Sequence, residues 1–286
     1  MWFLGFGFWF LVFGGETTNY QKPKANEVSA PTPAPLDLLA LAAHPDDVEL
    51  CAGGTMCTLG QQGYRTGVVD FTQGQLGSRG TPEKRMKEAA KASEVMGLAA
   101  RENLGLMDGE IANTREHQRT IIRQVRRFRP HVVLVNALET RHPDHHDAAR
   151  LALDALFYGG LRKIETTDPE TGAPQEPWRP HHTLHYMQAV PFDDPTLVVD
   201  VSDVWEQRID ALQSFESQFF NPEYDAGADE PETFVSNRNF FDWVEAQART
   251  YGYKVGATFG EPFKYYHGPF GTDDLMRVFE NEKAYR

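Results

Sequence analysis

Short apolar segments alternate with longer segments of helical spacing through the first half of the chain. "LDLLALAA" (36–43), "TGVVDFT" (66–72) and "HVVLVNA" (131–137) are rich in aliphatic and β-branched residues, as buried strands are. A helical segment at 81–97 has a cap at Thr81, a proline at the first helical position and a glycine at its end. This alternation predicts βαβ units, and therefore an α/β fold with a mostly parallel sheet and helices on both faces.

The alternation becomes less regular beyond about residue 160. "HTLHYMQAV" and "TLVVDVS" have the composition of strands, whereas "DVWEQRIDALQSFESQ" and "FFDWVEAQARTYG" have helical spacing. We expect this C-terminal part to extend the same sheet and to wall off one side of a pocket.

The first 35 residues do not follow this pattern. "MWFLGFGFWFLVF" is apolar but shorter than the ~20 residues of a membrane-spanning helix. No Lys or Arg precedes it and no small-residue cleavage site follows it, as a signal peptide would require. We interpret it, with the Pro-rich segment after it, as a targeting or anchoring extension or as a result of the chosen start codon. Residues 1–35 are predicted to lie outside the fold, and 36–286 to form a single domain.

The net charge limits the partners that this protein can bind, and the cysteines indicate the compartment in which it is located. A net charge of −13 disfavours binding to nucleic acid or to an anionic membrane, because phosphate contacts need clustered Lys and Arg. Cys51 and Cys57 lie six apart in a predicted helix and project from different sides, so no disulfide is expected between them. Two reduced cysteines fit a reducing compartment, and we predict a cytoplasmic protein unless residues 1–13 are functional.

Two clusters of His and Asp follow two of the predicted strands. "HPDD" (44–47) follows the first strand, and "RHPDHHDA" (141–148) follows "HVVLVNA". Because ligands bind beyond the carboxyl ends of parallel strands, both clusters are expected on one rim of the sheet. His44 and Asp47 could bind one ion together with a third ligand from 142–146, as in catalytic zinc sites that leave one position for water. Asp46 would then point elsewhere, toward that water.

The sequence offers no dinucleotide site at this edge. A nucleotide-binding fold would place a G-x-G-x-x-G turn after its first strand, where this chain has acids and an imidazole.

The same segments resemble a known enzyme family. "AHPDDVELCAGGT", "GTPEKRMKEA" and "RHPDHHDAARL" are similar to motifs of the LmbE-like, or PIG-L, zinc-dependent N-acetylglucosamine deacetylases, over about residues 36–270. "TQGQLGSRGTPEKR", "ENLGLMDGEI", "ESQFF" and "PETFVS" resemble the bacillithiol biosynthesis branch. The resemblance implies a Rossmann-like sheet, a homo-oligomer, and hydrolysis of N-acetylglucosaminyl malate to glucosaminyl malate and acetate.

The resemblance also implies roles for individual residues. The implied zinc ligands are His44, Asp47 and His145. Asp46 matches the general base, and His142 the group that stabilises the oxyanion or protonates the leaving amine. Asp144 matches the acid that orients His142 and favours its charged form.

Three arginines are candidates for binding a carboxylate-bearing substrate. Arg85 matches a family residue that lines the substrate site, Arg79 lies in the glycine-rich loop, and Arg141 lies beside the second cluster. His146 matches no ligand of the family and is interpreted as a helix-surface residue.

Two other functions are compatible with the sequence. One is a deacetylase or amidase acting on another GlcNAc-containing or thiol-conjugate substrate, and the other is a metal-binding or sugar-binding protein without turnover. Asp46 beside Asp47 argues against the second, because binding alone needs no base. Nitrogen and oxygen ligands accept Zn²⁺ or Fe²⁺, so the sequence leaves the metal open between them.

Overall fold

A seven-stranded sheet forms the centre of the protein. The computed structural model describes residues 33–225, 229–266 and 268. The strand order is β3-β2-β1-β4-β5-β7-β6; the first five strands are parallel, and β7 is antiparallel to both β5 and β6. The strands are β1 (Leu38–Ala42), β2 (Thr66–Thr72), β3 (Ala100–Leu106), β4 (Val132–Val135), β5 (His182–Tyr186), β6 (Leu197–Asp200) and β7 (Gly260–Lys264).

Helices cover both faces of the sheet, as the alternation predicts. They are α1 (Asp47–Gln61), α2 (Pro82–Met96), α3 (Arg115–Phe128), α4 (Pro143–Gly159), α5 (Trp205–Gln213) and α6 (Phe240–Lys254). Residues of α1, α2, α5 and α6 pack in one core with Ala40 and Ala42 of β1. Residues of α3 and α4 pack in a second core with Leu39 and Leu41. Because β1 is buried on both faces, its sequence is apolar without alternation.

The predicted ends of α2 are confirmed. The Thr81 hydroxyl accepts a hydrogen bond from Lys84 N at 3.2 Å, and Pro82 is the first helical residue. Gly97 ends the helix with a φ of 68°, a left-handed conformation that glycine adopts without a steric penalty. Local side-chain chemistry therefore sets both ends of this helix.

The C-terminal part extends the sheet. Two strands, β3 in the first half of the chain and β7 in the C-terminal part, have sequences that are not typical of strands. β3 ("ARENLGL") contains three charged or amide side chains, and β7 ("GEPFK") contains a proline and an acid. Arg101 of β3 pairs with Asp70 of β2 at 2.8 Å, so tertiary pairing places a charge there. Pro262 lies in β7 between β5 and β6, where a sequence-based assignment would exclude it.

The predicted leader falls largely outside the described residues. Only 33–35 of residues 1–35 are described, so the separation of this segment from the domain stays a prediction, as does the single domain over 36–286. Among the described residues, every helix is too short or too polar to span a bilayer.

Candidate active site

The carboxyl ends of β1 and β4 bring the two His/Asp clusters together. These strands are neighbours in the sheet and run parallel, with Leu38 opposite Val132. The first cluster connects β1 to α1, and the second connects β4 to α4. The chain therefore places at one edge two motifs that lie about a hundred residues apart in sequence.

His44, Asp47 and His145 converge on one point. His145 Nε2 lies 3.2 Å from His44 Nδ1 and 3.1 Å from Asp47 Oδ1. One ligand atom from each residue can be chosen so that all three lie within 4.8 Å of one another. Ligand atoms bound at ~2.0–2.1 Å to a tetrahedral zinc ion lie about 3.3 Å apart. The spacing and the nitrogen and carboxylate donors therefore fit a metal of this kind.

The charges around His44 also favour a cation. Its Nε2 atom lies 3.1 Å from Asp108 Oδ1 and 3.3 Å from Asp144 Oδ2. Burial by itself would lower the pKa of His44, but these two carboxylates and Asp47 raise it to about 10. A histidine that binds a metal through one ring nitrogen commonly donates the N–H of the other to a carboxylate, and Nε2 of His44 faces two carboxylates in this way. The site therefore concentrates negative charge that a divalent ion would neutralise.

Asp46 has a strained backbone and a side chain that does not cap α1. It is the residue before the helix, with a φ of 108°, and its carboxylate makes no capping hydrogen bond. Such a conformation costs about 1–3 kcal/mol in a residue other than glycine, and strain of this kind is concentrated at functional sites. Asp46 Oδ2 lies 3.6 Å from Arg85 Nη1. Burial raises the pKa of Asp46 to about 7, while Arg85 acts in the opposite direction.

The contacts of His142 differ from those that the sequence predicts. The Asp144 carboxylate does not hold the His142 ring; it accepts hydrogen bonds from Gly109 N at 2.7 Å and from His44. The backbone N–H of Asp144 instead donates to His142 Nδ1 at 3.3 Å. Burial and the neighbouring His145 and His44 lower the pKa of His142, so its neutral form is favoured. The Asp144 backbone, and not its carboxylate, therefore contacts the His142 ring in this structure.

The structure brings two of the three candidate arginines to the cavity. Arg85 is buried beside Asp46, and Arg141 is exposed at the rim, 5.7 Å from the centre of the Phe234 ring. Arg79 is not among the residues that line the cavity; its guanidinium donates to Ser217 O and Pro231 O and connects two loops. The substrate-binding role predicted for Arg79 therefore has no support in its contacts.

His146 lies on the surface of α4, as predicted. Its Nδ1 atom is 3.3 Å from the neighbouring Asp147 carboxylate, and the ring is partly exposed.

Three polar residues of the site were not predicted from the sequence. Asp108 contacts His44, whereas Asn136 and Gln188 both donate to the Asp47 carboxylate, at 3.2 and 3.3 Å. Gln188 Nε2 also lies 2.7 Å from His145 Nδ1. Each of the three follows the end of a strand by one or two residues. That position is the signal that identifies them, although it requires the strand ends to be known.

A cavity of about 380 Å³ opens at this site. Its polar end contains the clustered histidines, Asp46, Asp108 and Arg85. Its other wall is apolar and comes from the C-terminal part of the chain, as the sequence predicts: Phe219, Phe234, Phe240, Trp243, Val244 and Tyr251. The site can therefore enclose a small polar group beside the His44, Asp47 and His145 ligand atoms while a larger substituent extends along the apolar wall.

Comparison with known proteins identifies the family. Residues 39–156, from β1 to α4, match the family model "PIG-L: GlcNAc-PI de-N-acetylase". The chain is 30% identical over 195 residues to the diacetylchitobiose deacetylase of Thermococcus kodakarensis, covering 64% of this chain and 70% of that protein. It is 28% identical over 228 residues to a 1D-myo-inositol 2-acetamido-2-deoxy-alpha-D-glucopyranoside deacetylase of Saccharopolyspora erythraea, covering 62% of this chain and 81% of that protein.

A solved structure shares the fold over most of the chain. The crystal structure of a conserved protein from Thermus thermophilus is 35% identical, with a TM-score of 0.71, and the match covers 83% of this chain and 98% of that one. The chain therefore belongs to the PIG-L family of metal-dependent deacetylases, hydrolases that act on amide bonds.

Proposed function

We propose that this protein removes the acetyl group from an N-acetylglucosamine conjugate, with zinc bound by His44, Asp47 and His145. The observation that carries the proposal is the convergence of these three ligands beside a carboxylate, Asp46, that serves neither as a helix cap nor as a ligand. The named relatives act on diacetylchitobiose and on a GlcNAc-inositol, both of which contain an acetamido sugar.

The conjugate that we propose is N-acetylglucosaminyl malate, the substrate of the bacillithiol branch. Arg85 and Arg141 place two guanidinium groups at the cavity, and guanidinium binds carboxylates through paired hydrogen bonds. Malate supplies carboxylates, whereas chitobiose and inositol conjugates are neutral at that position. The volume of about 380 Å³ suits a ligand of this size.

The proposed chemistry assigns separate tasks to Asp46 and His142. Zinc, when bound, polarises the acetamide carbonyl and lowers the pKa of a bound water. Asp46 accepts the proton of the attacking water, and a nearby dication would keep its carboxylate ionised against the effect of burial. The protonated Asp46 then holds the proton that the leaving nitrogen requires, so that acetate and a free amine result.

His142 can donate a hydrogen bond through its second ring nitrogen. Because its Nδ1 atom accepts from the Asp144 backbone, the proton of the neutral ring lies on Nε2. An N–H donor of this kind stabilises the oxyanion that develops when water adds to the carbonyl. His142 therefore needs no positive charge for this task.

Substrate profiling tests the proposal. Acetate release by zinc-loaded enzyme is measured for N-acetylglucosaminyl malate, diacetylchitobiose, GlcNAc-inositol and GlcNAc, together with iron-loaded enzyme as a second metal form. We expect the malate conjugate to have the highest kcat/KM, and Arg141→Gln to reduce that preference. Arg150→Gln, an exposed arginine of α4 outside the cavity, is the matched control. A preference for a neutral conjugate would refute the malate assignment but keep the deacetylase, whereas zinc binding without acetate release from any of the four would refute turnover.

A further inference from the structure

Two exposed histidines face each other at the opposite edge of the sheet from the active site. His131 immediately precedes β4, and His181 immediately precedes β5. Their Nδ1 atoms are 2.7 Å apart, and their ring centres are 4.4 Å apart. The His182 ring lies beside them, with its centre 5.8 Å from that of His131. These side chains have no place in the deacetylation chemistry, because the active site lies beyond the carboxyl ends of the same strands.

The backbone holds this pair of imidazoles in place. His181 N donates to His131 O at 2.9 Å, where the pairing of β4 and β5 begins. Each histidine follows a proline, Pro130 or Pro180, which has a fixed φ angle. The two rings therefore project from neighbouring, hydrogen-bonded backbone positions, so the backbone does not have to be ordered when a ligand connects them.

The distance between the two nitrogens is suited to a shared ion. Two nitrogens at 2.7 Å can share one proton, or both can direct lone pairs at a cation. Nitrogens bound at ~2.0–2.1 Å lie about 2.9 Å apart when the angle at the metal is 90° and about 3.3 Å apart when it is tetrahedral. The observed separation is closer to the first value, and square or tetragonal geometry is typical of Cu²⁺ and Ni²⁺.

We propose that His131 and His181 form a second metal site, which binds a tetragonal divalent ion, Cu²⁺ or Ni²⁺, through their two Nδ1 atoms. Both side chains are exposed, so water completes the coordination. The bound ion connects the residues that immediately precede β4 and β5, and it therefore stabilises the folded chain without taking part in hydrolysis.

Metal titration of the zinc-loaded enzyme tests this site. Ni²⁺ is added to protein that holds one zinc per chain, heat is recorded by calorimetry, and a colorimetric indicator reports any zinc that Ni²⁺ displaces. We expect one further equivalent of Ni²⁺ to bind without zinc release and the melting temperature to rise. The double variant His131→Asn/His181→Asn should lose this equivalent, and the single variant His181→Asn should bind it at least about tenfold more weakly.

A matched variant and a spectroscopic measurement complete the test. His117→Asn removes a histidine of α3 that lies away from the pair, and it should keep the second equivalent. Cu²⁺ added in place of Ni²⁺ should give an electron paramagnetic resonance spectrum with coupling to two imidazole nitrogens. The absence of a second equivalent in the wild type, or its persistence in the double variant, would overturn the proposal.

Discussion

Replacement of Glu261 by alanine should destabilise the whole fold, although this residue also lines the active-site cavity. Glu261 lies in β7 and is buried. Its carboxylate accepts hydrogen bonds from Gly54 N at 2.9 Å, Thr55 N at 2.7 Å and Thr55 Oγ1 at 2.7 Å. It also pairs with Arg208 Nε at 2.8 Å, and Arg208 is itself buried. One side chain thus joins β7, α1 and α5.

The expected loss in the free energy of unfolding follows from the buried groups that lose their partner in this variant. Glu261→Ala leaves a buried guanidinium without its counter-charge and removes the acceptor from three donors. Removing one partner of a buried ion pair costs about 3–5 kcal/mol. That is a large part of the ~5–15 kcal/mol by which a domain is stable. At ~2–4 °C per kcal/mol for a domain of this size, the melting temperature should fall by about 6–20 °C.

Urea unfolding followed by circular dichroism measures the change in the free energy of unfolding. Glu216→Ala is the matched control, because Glu216 pairs with Lys91 at a similar 3.0 Å but both side chains are exposed, at 42% and 59%. An exposed pair contributes only about 0–1 kcal/mol, so this variant should unfold nearly as the wild type does. Equal losses for the two variants, or a loss below about 1 kcal/mol for Glu261→Ala, would refute the reasoning.

Three further outcomes are expected. Gln188→Leu should weaken zinc binding about 10–100-fold in a chelator competition, because the amide holds Asp47 and His145. Gly74→Ala should raise KM for a carboxylate-bearing substrate in steady-state assays, because a Cβ at this residue, whose φ is +67°, would lie 2.6 Å from Arg85 Nη1. Dialysis against a chelator should abolish acetate release and preserve the far-ultraviolet circular dichroism, and added zinc should restore activity; activity that survives metal removal would contradict the ligand assignment.

Much of the fold could be predicted from local sequence, because local chemistry determines it. The apolar residues of β1 and the ends of α2 at Thr81 and Gly97 need no distant partner. β7 could not be predicted in this way. Its residues pair with β5 and β6 only after the chain has returned to the sheet, and Glu261 is acceptable there because Arg208 neutralises it. Tertiary contacts decide such elements, and local propensity does not.

The residues of the candidate site also fall into two groups, those that local sequence reveals and those that only the tertiary structure reveals. His44, Asp46 and Asp47 lie close to one another in the chain, so a short motif reveals them. Asp108 and Gln188 each follow a different strand and have no companion nearby in sequence, so only the order of the strands shows that they belong to the site. The glycine-rich loop around Arg79 suggests that this arginine binds substrate. In the structure, the Arg79 guanidinium instead donates to the backbone carbonyls of Ser217 and Pro231.

The most direct test of the account is a comparison of zinc content and acetate release for Asp46→Asn. Asparagine tolerates the left-handed backbone of residue 46 and matches the shape of aspartate, but it cannot accept the proton of water. The account predicts one zinc per chain, as in the wild type, and a kcat lowered by at least about 100-fold, the usual size of a general-base contribution. Asp47→Asn should instead lose zinc. An Asp46→Asn enzyme that keeps its zinc and turns over within about tenfold of the wild type would contradict the central claim.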